Sequence, residues 1–350
     1  MRDSAKSVKG RATGSATPAL GDSAMPVLFR PISRRRAIAT GAAAMALAPT
    51  VARAADSLRV GKTIVNSFPM AGVDVGQQAG VFTAENIDVT ISTFRGDGQI
   101  QQALTAGAID IGFGSGPGMG YASKGVPAHA VAVMANPPRN MCLVVPKDGP
   151  VKSIADLRGK KIGVSTAGSL TDWLVRAIST REGWGPDGIQ TVPMGEVRTR
   201  AIAMKAGELQ GSVTAIEEGY DYKAQGGGDI LMNFGQITPD FITHVIFATD
   251  ALIQKNPELL RRFLHGWFTT VAYIRDHRAD AVRVLAKATN YSEKIVDESY
   301  DTEMSMISFD GAFSPKAVDT IRASLKELGI TDAEPAAAAM YDPDFTPVRL

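Results

Sequence analysis

The sequence predicts an α/β fold built as two doubly wound lobes, and three observations carry that expectation. Short β-rich runs alternate with helical patterns from Ser57 onward. The alternation breaks at the turn-rich Pro146-Lys147-Asp148-Gly149-Pro150 and then restarts. Finally, "QQALTAGAIDIGFGS" from Gln101 returns one hundred residues later as "AIAMKAGELQGSVTA" from Ala201. Both copies read as a helix end, a glycine stop and a strand. Ala103, Leu104, Ala106, Gly107 and Ile109 stand against Ala203, Met204, Ala206, Gly207 and Leu209.

In chain order, residues 1–55 read as an export leader. Residues 1–54 hold nine Lys/Arg against Asp3 and Asp22. "SRRRAIATGAAAMALAPTVARAAD" sets Arg34, Arg35 and Arg36 before a weakly apolar stretch too short for a permanent anchor, then a small-residue site at Ala52-Arg53-Ala54. The paired arginines and alanine-rich core resemble a twin-arginine signal, with Ala37 where an aromatic is usual. Cleavage is expected near Ala54-Ala55, Met25 offers an alternative start, and no cysteine follows the site to take a lipid. These features imply a free periplasmic protein.

The next segment, 56–143, alternates "LRVGKTIV", "IDVTIST", "IDIGFGS", "AHAVAVM" and "MCLVVP" with helices that stop at Gly80, Gly107 and Gly125. Such spacing means right-handed βαβ units and a mostly parallel sheet. Segment 144–242 repeats the scheme through "KKIGVS", "IQTVPM", "GSVTAI" and "DILMNF", with helices from Ser169, Val197 and Glu217. After the strand in "THVIFA", segment 243–350 offers long amphipathic helices and no new sheet, so it is expected to return to the first lobe. Asn256-Pro257-Glu258 reads as a capped helix start. The chain then crosses between lobes near 140–148 and 236–247, giving a two-strand hinge beside a cleft.

A net charge of +1 in 350 residues excludes the basic excess of a nucleic-acid binder. His129, His244, His265 and His277 form no metal-spaced pair, and His265 sits between apolar helix positions that suggest packing. Cys142, the single cysteine, lies in an apolar run and reads as a small buried hydrophobe. "GFGSGPGMG" ends in no Lys-Ser/Thr and lacks the register of a nucleophile elbow. We therefore expect no catalytic residues, no metal and no cofactor.

The segments "SFPM…GQQAGVFTAENIDV", "GDGQIQQALTAGAIDIGFGS", "SIADLRGKKIGVSTAGSLTDWL" and "NPELLRRFLHGWFTTVAYI" together resemble the nitrate/sulfonate/taurine-type, thiamine-precursor-binding-like solute-binding proteins of ABC transporters. The resemblance covers about residues 57–330. It departs at Gln210-Gly211, where Asp-Ala is usual, and at "IEEGYD", which replaces a Trp-acidic-Pro stretch. It implies the two-lobed type II periplasmic-binding-protein fold, a small-molecule ligand, a membrane permease with its ATPase as partners, and a monomer. An enzyme of the pyrimidine-precursor synthase type on the same fold would need a cysteine cluster that this chain lacks. A periplasmic ligand-sensing domain is the other alternative.

Ligands of doubly wound sheets bind outside the carboxyl ends of the strands. On the first lobe those loops offer Ser67, Phe68, Asp97, Gly98, Ser115, Gly116 and Asn136. The second lobe offers Ser165, Thr166, Ser169, Arg198 and Glu217. Hydroxyls and glycine N–H groups would bond a polar solute, with Phe68 as an apolar wall. Arg198 would grip an anion in a two-donor fork, whereas Asp97 and Glu217 would favour amine or amide donors.

Overall fold

The structure, a computed structural model, describes residues 54–64 and 66–350. The export signal expected over 1–55 therefore lies almost wholly outside the described residues. The chain begins β1 (Asp56–Lys62), α1 (Phe68–Gln78), α2 (Val81–Ala84), β2 (Ile87–Thr93), α3 (Asp97–Thr105), β3 (Ile111–Ser115) and β4 (Ala128–Ala135). It continues as β5 (Met141–Pro146), β6 (Lys161–Val164), α4 (Leu170–Arg181), β7 (Gln190–Pro193), α5 (Val197–Lys205), β8 (Gly211–Ala215), α6 (Ile216–Ala224) and β9 (Gly228–Asn233). After β10 (His244–Thr249) come α7 (Asp250–Lys255), α8 (Pro257–Asp276), α9 (Arg278–Thr289), α10 (Glu293–Met304) and α11 (Pro315–Glu327).

Among the described residues two five-stranded sheets result, ordered β2-β1-β3-β10-β4 and β7-β6-β8-β5-β9. The orders are the same, with β6, β7, β8, β5 and β9 standing where β1, β2, β3, β10 and β4 stand. Each sheet is mixed rather than mostly parallel. β10 runs antiparallel to β3 and β4, and β5 antiparallel to β8 and β9. The reversed strand in each sheet is the one the chain forms on arriving from the other sheet, so no helical crossover turns it parallel. A division after residue 143 falls inside β5, whose pairings are all with β8 and β9. The connections between the sheets are the segments 136–140 and 234–243, the second opening with a 3-10 turn at Phe234–Gln236, where two strands were expected. They touch each other, since Thr243 N–H donates to Asn136 O at 3.2 Å.

The two copies of the repeated corner share one backbone. Gly107 and Gly207 have φ of 63° and 78°, a left-handed conformation that glycine adopts without Cβ strain. Each donates its N–H three residues back at 3.1 Å, to Leu104 O and Met204 O. The strand then enters its sheet through Asp110 N–H to Arg59 O in one copy and Gln210 N–H to Lys161 O in the other, both 2.9 Å.

The returning helices bury their apolar stripe on the first sheet. Phe263, Phe268 and Trp267 of α8 join Leu58, Val60 and Phe113 in one core. Phe263 stacks on Phe82 at 5.4 Å, and Trp267 meets Phe113 edge-on at 4.9 Å. Each such ring contributes about 1.5–3 kcal/mol of burial free energy. Pro257 stands in the first turn of α8 as expected, but Asn256 provides no side-chain cap. His265 does not pack in the core; it pairs with Glu85 at 2.6 Å on a half-exposed face.

Candidate functional site

The turns after β1 and β2 on one sheet meet those after β8 and β7 on the other, at the carboxyl ends of the parallel strands. Arg95, just before α3, forms an ion pair of 3.5 Å with Glu196, the residue before α5. The starts of the two repeated corners thus face each other. Deeper in, Asn66 donates from Nδ2 to Glu218 Oε1 at 2.8 Å and to the Tyr291 hydroxyl at 2.7 Å. Glu218 begins a helix of the second sheet and accepts the Ala215 N–H at 3.2 Å. Burial pushes its carboxyl above the usual range, against the pull of Arg200 and Asn66.

A hydroxyl cluster forms where α4 starts. Ser165 Oγ lies 3.0 Å from both Ser169 Oγ and Thr171 Oγ1, and those two are 2.9 Å apart. Ser169 caps α4 by accepting the Asp172 N–H, and Thr166 O receives the Ser169 hydroxyl at 2.7 Å. Hydroxyls both donate and accept, so this group can re-aim toward a polar solute.

Several expected residues serve the scaffold. Asp97 accepts the Ser115 N–H at 2.8 Å and the Ser115 hydroxyl at 2.7 Å, tying the start of α3 to the end of β3. Burial raises its carboxyl, offset in part by Ser115. Gly98 borders the Tyr121 hydroxyl on the outer side of α3, where a Cβ would stand 3.7 Å from it. A Cβ at Gly116 would lie 2.0 Å from Ile242 O, so that glycine admits the crossing segment. Asn136 belongs to the other crossing, its carbonyl taken by Thr243. Ser67 is buried at the start of α1 with no side-chain cap bond. Phe68 is not a cleft wall: only 3% exposed, its ring meets Tyr300 edge-on at 5.8 Å among the returning helices.

On the second sheet, Arg198 is exposed and has no ion pair or hydrogen bond among the described residues. The arginine that turns inward is Arg200, 4% exposed, with Nη1 donating to Ser212 Oγ at 3.1 Å and to Val213 O. Glu217 is likewise withdrawn from the cleft, 1% exposed, and burial pushes its carboxyl up to about 7. Sequence reasoning missed Asn66, Glu218, Tyr291 and Arg200. For Arg200 a signal existed, because the repeat sets it against the core residue Ile100. Cys142 is buried and free, its thiol raised well up by burial and then by Glu218 and Glu217. Among the described residues no cluster of three His, Cys, Asp or Glu is arranged to hold a metal, and no helix is long and apolar enough to cross a membrane.

Comparison with known proteins agrees with this architecture. A family model described as NMT1/THI5 like matches residues 67–281. A protein of Brucella abortus (strain 2308) named as a binding protein is 27% identical over 234 residues, covering 66% of this chain and 71% of that protein. The periplasmic aliphatic sulphonate binding protein SsuA of Escherichia coli superposes with a TM-score of 0.70 at 18% identity, over 84% of this chain and 94% of its own. The desulfurization enzyme DszB superposes at 0.60 with 16% identity, over 83% and 97%. At such identities the shared property is the fold, the two-lobed periplasmic-binding-protein architecture.

Proposed function

The chain belongs to the NMT1/THI5-like family, and from that premise we propose that it is the exported substrate-binding component of an ABC importer. It captures a small polar organic solute, a sulfonate, carboxylate or nitrogen compound, between its lobes and presents it to an inner-membrane permease with its ATPase. The lobes follow the sheets, one from 54–135 with 244–350 and the other from 141–233. The observation that carries this reading is the facing of the two equivalent corners, joined at the rim by Arg95 and Glu196. Hinged lobes that meet face to face close on a ligand by rigid-body rotation. The naming of a relative as a binding protein and the likeness to SsuA support it.

Within the cleft we assign ligand contact to Ser165, Thr166 and Ser169 from one lobe and to Asn66 from the other, with Arg198 at the rim. Periplasmic residence, signal removal near Ala54-Ala55 and a monomeric state belong to the same reading. The fold is shared with DszB, which favours an enzyme as the second reading; the burial and raised thiol of Cys142 remove the chain's one cysteine as a nucleophile.

The test is native mass spectrometry of protein taken from the periplasm of its host, then calorimetry with the solute identified. One solute per chain is expected. Ser165→Ala and Ser169→Ala should each weaken binding about ten- to hundredfold, or about 1–3 kcal/mol, with the fold retained. Chemical turnover of the bound solute would decide for the enzyme instead.

A further inference from the structure

Two carboxyl groups from different parts of the molecule meet where α6 of the second sheet packs on α10. Glu217, at the start of α6, is 1% exposed; Glu303, at the end of α10, is fully buried. α10 also packs on α9 and α1, which belong with the first sheet. One oxygen of each acid is satisfied: Ser299 Oγ donates to Glu217 Oε1 at 3.1 Å, and Asn140 Nδ2 donates to Glu303 Oε2 at 3.2 Å. The other oxygens, Glu217 Oε2 and Glu303 Oε1, are buried without a partner. The acids are brought together by α10, where Ser299 and Glu303 stand one turn apart, and by Asn140, whose carbonyl also accepts the Ile216 N–H at 2.7 Å beside Glu217.

Two ionised carboxylates cannot hold that arrangement, since each would be buried, unpaired and repelled by the other. A single proton resolves both orphans at once, because one acid then donates and the other accepts. We propose that Glu217 and Glu303 share a proton and form a clasp between α6 and α10 that holds the two lobes in one relation.

The surroundings favour the protonated pair. Burial places Glu217 at about 7, while burial and then Glu217 hold Glu303 well above the usual carboxylate range. From α6, Glu218 adds a further like charge, and Tyr220 stands beside Glu217 and Glu298. From β5, the Cys142 thiol is kept neutral by burial and by Glu218 and Glu217. From the crossing segment Asn140 donates, while Arg139 is engaged with Ser305 O at 3.1 Å. Arg200 bears on Glu218, and Tyr291, which Asn66 links to Glu218, is raised by burial and then by Glu218 and Glu217.

The sign follows from the raised folded values. An unfolded glutamate releases its proton near 4.5, so the folded pair keeps protons that the unfolded chain has lost. The pair is doubly protonated below about 4.5, passes to the single shared proton as pH rises through about 7, and loses the clasp as pH rises further, through the raised value of Glu303. If the chain is the proposed binding protein, lobe movement becomes sensitive to external pH; that consequence rests on the binding reading, whereas the clasp does not.

The experiment therefore uses ligand-free protein. Infrared spectra in heavy water should show a carboxylic-acid carbonyl band persisting at pH 7, absent from Glu303→Gln. Hydrogen exchange at the starts of α6 and the end of α10, corrected for intrinsic rate, should rise about tenfold or more between pH 6 and 9 in the wild type. In Glu303→Gln and Glu217→Gln it should stay flat, since the amide donates at every pH. An absent acid band, equal pH dependence in wild type and both variants, or protection that follows added calcium and ignores pH would each overturn the clasp.

Discussion

Ile100 and Arg200 occupy the same place in the two repeated corners, and their neighbours differ to match. Ile100 is fully buried, and a Cβ at Gly112 would sit 2.8 Å from its Cγ2. Arg200 faces Ser212 at the position equivalent to Gly112 and bonds its hydroxyl. One corner closes on apolar contact, the other on a buried cation with Nε still unpartnered. Burial lowers the affinity of that guanidinium for its proton, and Glu218 and Glu196 partly restore it. A corner's backbone is thus indifferent to what fills it, provided the two facing positions change together.

The comparison can be broken from either side. The largest effect should come from Ile100→Arg, which places a charge against Gly112 with no hydroxyl to meet it. Urea unfolding should show a loss of about 3–5 kcal/mol or no folded protein. The reverse exchange, Arg200→Ile with Ser212→Gly, should cost less than about 1 kcal/mol or stabilise, because a packed apolar group replaces a buried ion. A loss from the double variant as large as that from Ile100→Arg would mean that Arg200 is required by something other than its corner.

Next in size, Gly107→Ala and Gly207→Ala should each cost about 1 kcal/mol and cost the same, since both sit at positive φ with open space around them. The smallest effect should be that of Gln210→Asp. Gln210 Oε1 accepts the Lys161 N–H at 3.1 Å just as Asp110 accepts the Arg59 N–H at 2.9 Å, so midpoints should shift within about 0.5 kcal/mol. At the departure from Asp-Ala, Gln210 thus makes the backbone contact that Asp110 makes in the first copy.

Local pattern made most elements legible. The apolar run Met141–Pro146 is a strand as expected, and the helix expected to start at Asn256-Pro257-Glu258 runs Pro257–Asp276 with Leu260, Phe263, Leu264, Trp267 and Phe268 buried. Strand direction was not legible, because whether β5 and β10 run with or against their neighbours depends on where the chain arrives from. Within the candidate site, the expected loops carry Ser165, Thr166 and Ser169, while the directions of the acids and arginines were not legible. Glu217 and Glu218 differ by one helical step of about 100°, enough to send one into the clasp and the other toward Asn66. Arg198 and Arg200 differ by two steps, which separates solvent from core.

The sheet orders also set a timetable for the chain as it is made. All five strands of the second sheet lie within residues 141–233 and can pair once that stretch has left the ribosome. The first sheet is divided: among the described residues β4 finds its one strand neighbour in β10, which ends at Thr249. Until then β3 and β4 wait with open edges while the later-encoded lobe is already complete. The lobe that begins first therefore finishes last, and a chain stalled or truncated before residue 249 presents unpaired edges, the surface most open to aggregation and proteolysis.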